Sequence, residues 1–304
     1  MNWFKNAICY RFEPAEDFTE EHLEKVLQEK PFVPCGRHEV SRSGWTSPTG
    51  PLSDSPIFSS NGYILISYLV EEKILPTSVI RDEMDERIRV IEENEARKVY
   101  RKERQQMKDD ITLELLPRAF TRRHRTRALL MPQQGWILVD VGSFKRAEDL
   151  LSALREALGS LIVRPLEVNQ APSSVMTEWL QDKRPIPSVI EVEDESELRD
   201  LSTEGGVIRV KGQDLFSDEI RAHLDNGMQI TRLALNWEEQ IRLVLHADMS
   251  LHRLKLTDQF REQMDNDSPE DELAYFDAQL TQMGLEFSRF VPALVEAFGG
   301  EPVR

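Results

Sequence analysis

The stretch from Leu75 to Arg127 constrains the fold more than any other. Pro76 and Thr77 mark a helix start, and Ile80, Met84, Ile88 and Ile91 recur on one face at helical spacing. Beyond Ile91 the apolar stripe thins, leaving Ala96, Val99, Tyr100 and Met107 among many charges. A helix of that kind starts in a core and projects into water. Continuous from Thr77 to Asp109, it would span roughly 50 Å. Leu115-Leu116-Pro117-Arg118-Ala119-Phe120 follows, then Arg122, Arg123, Arg125 and Arg127. Pro117 stops a helix. The expectation is an arm that goes out, turns near Pro117 and returns carrying arginines and an exposed phenylalanine.

Charge sharpens that reading. Arg97 to Arg127 holds eleven Lys/Arg against four Asp/Glu, a net +7 in a chain of −16, which leaves −23 for the remainder. A basic island on an acidic body attracts polyanions locally while the rest repels them. Mixed signs over residues 81–96 read as a solvated face laced with ion pairs; residues 118–127 contain five arginines and no acid.

On both sides of the arm, strands and helices alternate. Residues 2–13 read as a strand, then a helix carries Leu23, Val26 and Leu27, and a weak strand covers Val40–Thr46. Asn61-Gly62 signals a hairpin into the strand Tyr63–Val70. After the arm come strands at Ala128–Met131 and Trp136–Val141, a helix over Lys145–Leu158 closed by Gly159, and a strand at Leu161–Leu166. A short helix at Val175–Leu180 and an acidic run at 189–204 precede the strand Val207–Lys211. A helix at Phe216–Leu224 leads to three antiparallel strands, Met228–Leu235, Gln240–Ala247 and Ser250–Leu256. Leu273–Phe298 is helical, with Pro292 expected to kink or split it. The fold class is α+β, antiparallel sheets with helices and a helical arm inserted in the first domain. The expected organisation is a centre of residues 1–76 and 117–166, a tip of 77–116, and a base of 167–304. Its last helix, 270–298, is a candidate to pack back on the centre.

The pattern holds no glycine-rich phosphate loop, no paired-cysteine zinc spacing and no nucleophile elbow. His246 and His252 lack an acidic partner at metal-site spacing, and Cys9 and Cys35 read as free thiols. No metal, cofactor or catalytic residue is expected. Glu191, Glu193 and Lys211 are the residues a metal-dependent nuclease would use, at generic spacing. Phosphate contact suits the basic residues better, because Arg and Lys neutralise a backbone without reading sequence. The candidates are Arg97, Lys98, Arg101, Lys102, Arg118, Arg122 and Arg123, with Arg209 and Lys211 alternating on one strand face as a second contact. No membrane-length apolar run or signal peptide is present, so a cytoplasmic location is expected.

Several stretches carry a family resemblance: Trp3-Phe4-Lys5-Asn6, Pro34-Cys35-Gly36, Glu71-Glu72-Lys73-Ile74-Leu75-Pro76, Leu115-Leu116-Pro117-Arg118-Ala119-Phe120, Lys145-Arg146-Ala147-Glu148-Asp149, Leu158-Gly159-Ser160-Leu161, Gly205-Gly206-Val207-Ile208-Arg209 and Leu233-Ala234-Leu235-Asn236-Trp237. In order and spacing the chain resembles the bacterial recombination-associated RdgC family. The resemblance implies a non-enzymatic, nucleoid-associated protein that binds double-stranded DNA with little sequence preference. It implies two horseshoe-shaped protomers joined in a ring-shaped homodimer that restrains RecA-dependent recombination. Other readings are a metal-dependent nuclease of recombination and a module that contacts RecA directly. Phe120 is read as a dimer gate; stacking on an unpaired base, or folding back on Ile111 and Leu115, are the alternatives.

Overall fold

Order in the computed structural model begins with strand pairing around β1 (Ile8–Glu13), whose buried Ile8, Cys9, Tyr10 and Phe12 draw neighbours to both of its edges. The structure describes residues 3–202, 205–266, 269 and 271–302. Asn2, the end of the acidic run at Thr203 and Glu204, and Glu270 at the expected start of the last helix lie outside the described residues. The chain divides into two compact units, one of residues 1–27, 47–67 and 126–304, the other of residues 28–46 and 68–125. The strands β4 (Tyr63–Ile74) and β5 (Phe120–Met131) contribute residues to both.

In the first unit, β3 (Ile57–Ser60) and β4 form the hairpin that Asn61-Gly62 announces, both turn residues at positive φ (51° and 81°). Strands β5, β6 (Trp136–Val139), β1 and β7 (Ile162–Pro165) follow in spatial order. Trp3 and Phe4, expected within the first strand, precede it instead, and Phe4 is buried in the core. The helices of this part are α1 (Glu20–Gln28), which buries Leu23 and Leu27, and α4 (Phe144–Leu158), which buries Ala147, Leu150, Leu151 and Leu154.

A second sheet has the order β12-β11-β10-β8-β9, all antiparallel: β8 (Ile190–Arg199), β9 (Val207–Lys211), β10 (Gln229–Trp237), β11 (Ile241–His246) and β12 (Leu251–Leu256). Leu198, Ile230, Leu233, Leu235, Leu243 and Leu245 join one core with residues of α5 (Pro172–Leu180), α6 (Asp218–Asp225) and α8 (Glu272–Ala297). Residues 258–266 form α7. Pro292 does not split α8, which runs through it for 26 residues. Gly284 lets α8 approach β4: a Cβ there would lie 2.3 Å from Cγ of Tyr63. Ser60 and Thr281 hydroxyls meet at 2.8 Å across the same packing.

The second unit corrects the arm. Residues 77–109 are not one continuous helix. α2 (Thr77–Glu95) ends at Ala96, which adopts the left-handed conformation (φ 50°), and α3 (Arg101–Leu115) returns. The turn lies at residues 96–100 rather than at Pro117. Apolar spacing explains why: Ile80 and Ile88 bury themselves against Val99, Met107 and Ile111, with Met84, Ile91 and Leu115 packed around them. Each fully buried side chain of this size contributes about 1.5–3 kcal/mol. Glu92 accepts from Val99 N–H at 3.2 Å, and Arg87 reaches Glu114 at 2.6 Å, tying one helix to the other. A short 3-10 turn at Leu116–Arg118 leads directly into β5, so the arginine-rich stretch is a strand. Strand β2 (Ser41–Trp45) pairs with Tyr68–Glu72 of β4, and Gly44 admits the Phe32 backbone where a Cβ would lie 2.5 Å from its Cα.

Candidate nucleic-acid interface

The turn between α2 and α3 concentrates positive charge. Lys98, Arg101 and Lys102 are exposed and have no acidic partner among the described residues, and the same holds for Arg104 and Lys108 further along α3. Arg101, Arg104 and Lys108 recur at i, i+3 and i+7, an exposed stripe of α3 that runs beside the buried Met107 and Ile111. Arg97 differs: it hydrogen-bonds Glu95 at 2.6 Å and Glu103 at 2.7 Å, which raises its already high pKa and clamps the turn. Tyr100, one of the residues available for burial by sequence, is 73% exposed at the start of α3.

The arginines of β5 alternate across the strand. Arg122 and His124 both meet Glu72, each at 3.0 Å. Arg123 points the other way, to Glu71 at 2.6 Å, with its guanidinium over the Phe32 ring. Hydrogen bonds from these arginines hold both carboxyls below their ordinary pKa of 4.5; Cys35 N–H adds to the effect on Glu71 and His124 to that on Glu72. The acid-free run at 118–127 is thus partly neutralised by β4, a pairing that only the sheet register brings about. Arg118 and Arg125 keep no such partner among the described residues and are exposed. Phe120 is 84% exposed, so it does not fold back on Ile111 and Leu115.

In the first unit, Arg209 and Lys211 lie on the outer face of the second sheet. Glu197, 3% exposed, accepts from Arg209 at 3.0 Å and Arg199 at 3.2 Å and lies 3.3 Å from Arg232. Burial alone would raise the Glu197 pKa; the three arginines outweigh it and hold the carboxyl low. Lys211 stands opposite Glu195, which Arg253 also engages. Sequence reasoning missed Arg199, Arg232 and Arg253. The signal was available for Arg199 and Arg232, which fall at outward positions of strands whose other face is apolar. Arg242 faces the same side and bridges Glu193 at 2.8 Å. Glu191 and Glu193 share β8, and Lys211 faces neither in register. Among the described residues no group of three or more His, Cys, Asp or Glu is placed to hold a metal ion, and no helix is long and apolar enough to cross a membrane.

A family model described as "Putative exonuclease, RdgC" matches residues 2–301. The recombination-associated protein RdgC of Pseudomonas aeruginosa (strain LESB58) is 46% identical over 302 residues, covering 99% of this chain and 98% of its own. Its counterpart in Pseudomonas fluorescens (strain Pf0-1) is 46% identical over 300 residues, covering 98% of each. That of Pseudomonas entomophila (strain L48) is 43% identical over 302 residues, covering 99% of this chain and 98% of its own. With the family model spanning nearly every residue, the chain belongs to the RdgC family.

Proposed function

We propose that this protein binds double-stranded DNA through its phosphates, with little sequence preference, encircles it as a ring-shaped homodimer, and restrains RecA-dependent recombination in the nucleoid. The observation that carries the reading is the cluster of exposed Lys98, Arg101 and Lys102 between two helices, with no acidic partner among the described residues, in a chain of net charge −16. Exposed cations free of carboxylates are suited to phosphates, whereas Arg97, Arg122, Arg123 and Arg209 are engaged internally. Membership of a recombination-associated family supplies the setting. Exposed Phe120 suits a self-complementary contact between two copies, where one residue acts twice.

The test is a gel-shift titration against salt with unrelated duplexes, run with and without magnesium. Affinity is expected to fall steeply with salt and to vary little with sequence, and light scattering to give a dimer. The family model's description names an exonuclease, so linear, circular and single-stranded DNA are followed in the same reactions. All are expected to stay intact; cutting that stops on Glu191→Ala or Glu193→Ala would replace binding with hydrolysis as the function. A pull-down showing tight RecA binding without DNA would favour direct contact with the recombinase.

A further inference from the structure

Within the first unit, a cleft of about 470 Å³ opens where the N-terminal segment, β12, α7 and α8 come together. Trp3 and Lys5 border it, with Lys255 of β12, Arg261 of α7, and Tyr275 and Gln279 one turn apart on α8. Buried Phe4 and Leu254 form its apolar side. Leu254 N–H donates to the Lys5 carbonyl at 2.9 Å, which ties the N-terminal segment to β12.

The local charge is the reverse of the chain's. Three cations border the cleft and, among the described residues, no carboxylate does, in a chain of −16. Lys5 and Lys255 are exposed and have no acidic partner among the described residues. Arg261 has Asp258 at 3.5 Å, an exposed pair of the kind that contributes little.

Gln279 is an independent observation. It is 5% exposed, and Trp3 Nε1–H donates to its Oε1 at 3.0 Å. An indole N–H can only donate, so this bond fixes which end of the amide faces Trp3. The Nε2 end has no partner among the described residues, yet it is not sealed from solvent, and Gln279 borders this cleft. A buried side chain thus offers unspent donors beside three cations. The same bond, with Phe260 and Phe287 against the indole, holds the half-buried Trp3 in one orientation at the cleft.

The chemistry selects the occupant. The cations call for an anion rich in acceptor oxygens, and the aromatic wall with its amide donor calls for a planar ring that bears acceptors. A nucleotide carries both. The volume falls within the ~300–1,000 Å³ of small-ligand sites, which suits one nucleotide and not a duplex. We propose that this cleft binds a single nucleotide, its base against Trp3 and hydrogen-bonded by Gln279 Nε2, its phosphate between Lys5, Lys255 and Arg261. The source is a free nucleotide or the unpaired end of a strand. The site does not rest on the duplex-binding reading, and its test contains no duplex.

The test is isothermal titration calorimetry of the full chain with deoxyadenosine monophosphate as probe. Saturable binding at one site per protomer is expected. Deoxyadenosine, which lacks the phosphate, should bind about tenfold or more weakly than the monophosphate, and Lys5→Gln/Lys255→Gln should weaken the monophosphate by about as much. Gln279→Glu keeps the oxygen that Trp3 bonds and removes the donor, so it should weaken binding too; if that variant fails to fold, the exposed lysine pair decides. A control pair, Lys25→Gln/Lys145→Gln, removes the same charge elsewhere and should leave binding unchanged. Competition separates the two sources. Tetradeoxyadenylate that displaces the labelled monophosphate at lower concentration than unlabelled monophosphate does makes a strand end the occupant; a need for higher concentration makes it the free nucleotide. No saturable binding, equal weakening by the control pair, or a capped Asp-Asp-Phe peptide that binds more tightly than the monophosphate would overturn the proposal.

Discussion

Glu71, 2% exposed, accepts a hydrogen bond from Arg123 Nε at 2.6 Å while its other carboxylate oxygen takes Cys35 N–H at 2.7 Å. Arg123 is therefore a structural residue of its strand before it is a phosphate contact. Arg123→Ala should lower the melting temperature clearly, because it strands a buried carboxylate. Arg122→Ala should lower it less, since Glu72 is more exposed and retains His124. Both carboxyls titrate below 4.5 when folded, so they stabilise the fold above that pH, and the contribution is lost as pH falls further. Thermal melts of the two variants decide: equal losses would mean that the burial of Glu71 adds nothing to the worth of its arginine.

At the turn of the helical hairpin the expectation reverses. Lys98→Ala/Lys102→Ala removes two exposed cations without an acidic partner among the described residues and should change stability by no more than about 0.5 kcal/mol. It should weaken binding to all duplexes alike and reduce the slope of log affinity against log salt by roughly 2 per protomer. Arg97→Ala should cost DNA binding less and the hairpin more, because Arg97 joins Glu95 and Glu103. An unchanged salt slope in the double variant would remove the turn from the interface.

Phe120 contributes almost nothing to its own subunit's core at 84% exposure. Phe120→Ala should melt like the parent yet lose retention on circular DNA at high salt, with retention on linear DNA little altered. Burying one such ring in a partner is worth about 1.5–3 kcal/mol, enough for a gate that closes and still opens. A variant that melts early and holds circular DNA normally would show Phe120 to be packing.

Local chemistry made most elements legible in the sequence. The Asn61-Gly62 turn, the α4 stripe and the three strands from Met228 onward all form close to where periodicity puts them. The arm was misjudged because polar residues after Ile91 hid the return of the pattern in Val99, Met107 and Ile111: the partners that bury α2 lie beyond a turn made by an alanine, not a glycine or proline. Charge counting overstated the β5 arginines for a related reason. Glu71 and Glu72 are some 50 residues away in sequence and one hydrogen bond away in space. The second sheet's outer face was half legible: Arg209 and Lys211 stood out by alternation, but Glu197, which gathers Arg199, Arg209 and Arg232, is visible only once β8, β9 and β10 are in register.

His246 and His252 supply a pH dependence distinct from that of Glu71. Their rings stack at 3.8 Å, and Ser250 Oγ lies 2.9 Å from His252 Nε2. Burial first, then the neighbouring His252 and Arg232, push the His246 pKa down from 6.5 to about 4, against the opposing pull of Asp248 and Glu197. His252 is lowered by burial and by Arg232 and Arg253, opposed by Asp248. The folded pair thus stays neutral where an unfolded chain already binds protons. Stability from this pair is complete above pH 6.5, falls as pH drops towards 4, and then levels off for His246. His246→Gln removes one of the two titrating rings at small steric cost. Melting temperatures measured across that interval should decline with falling pH in the parent and decline less in the variant. Equal slopes in the two proteins would mean that His246 titrates no lower when folded than when unfolded, and that the acid sensitivity begins only with the carboxylates of β4.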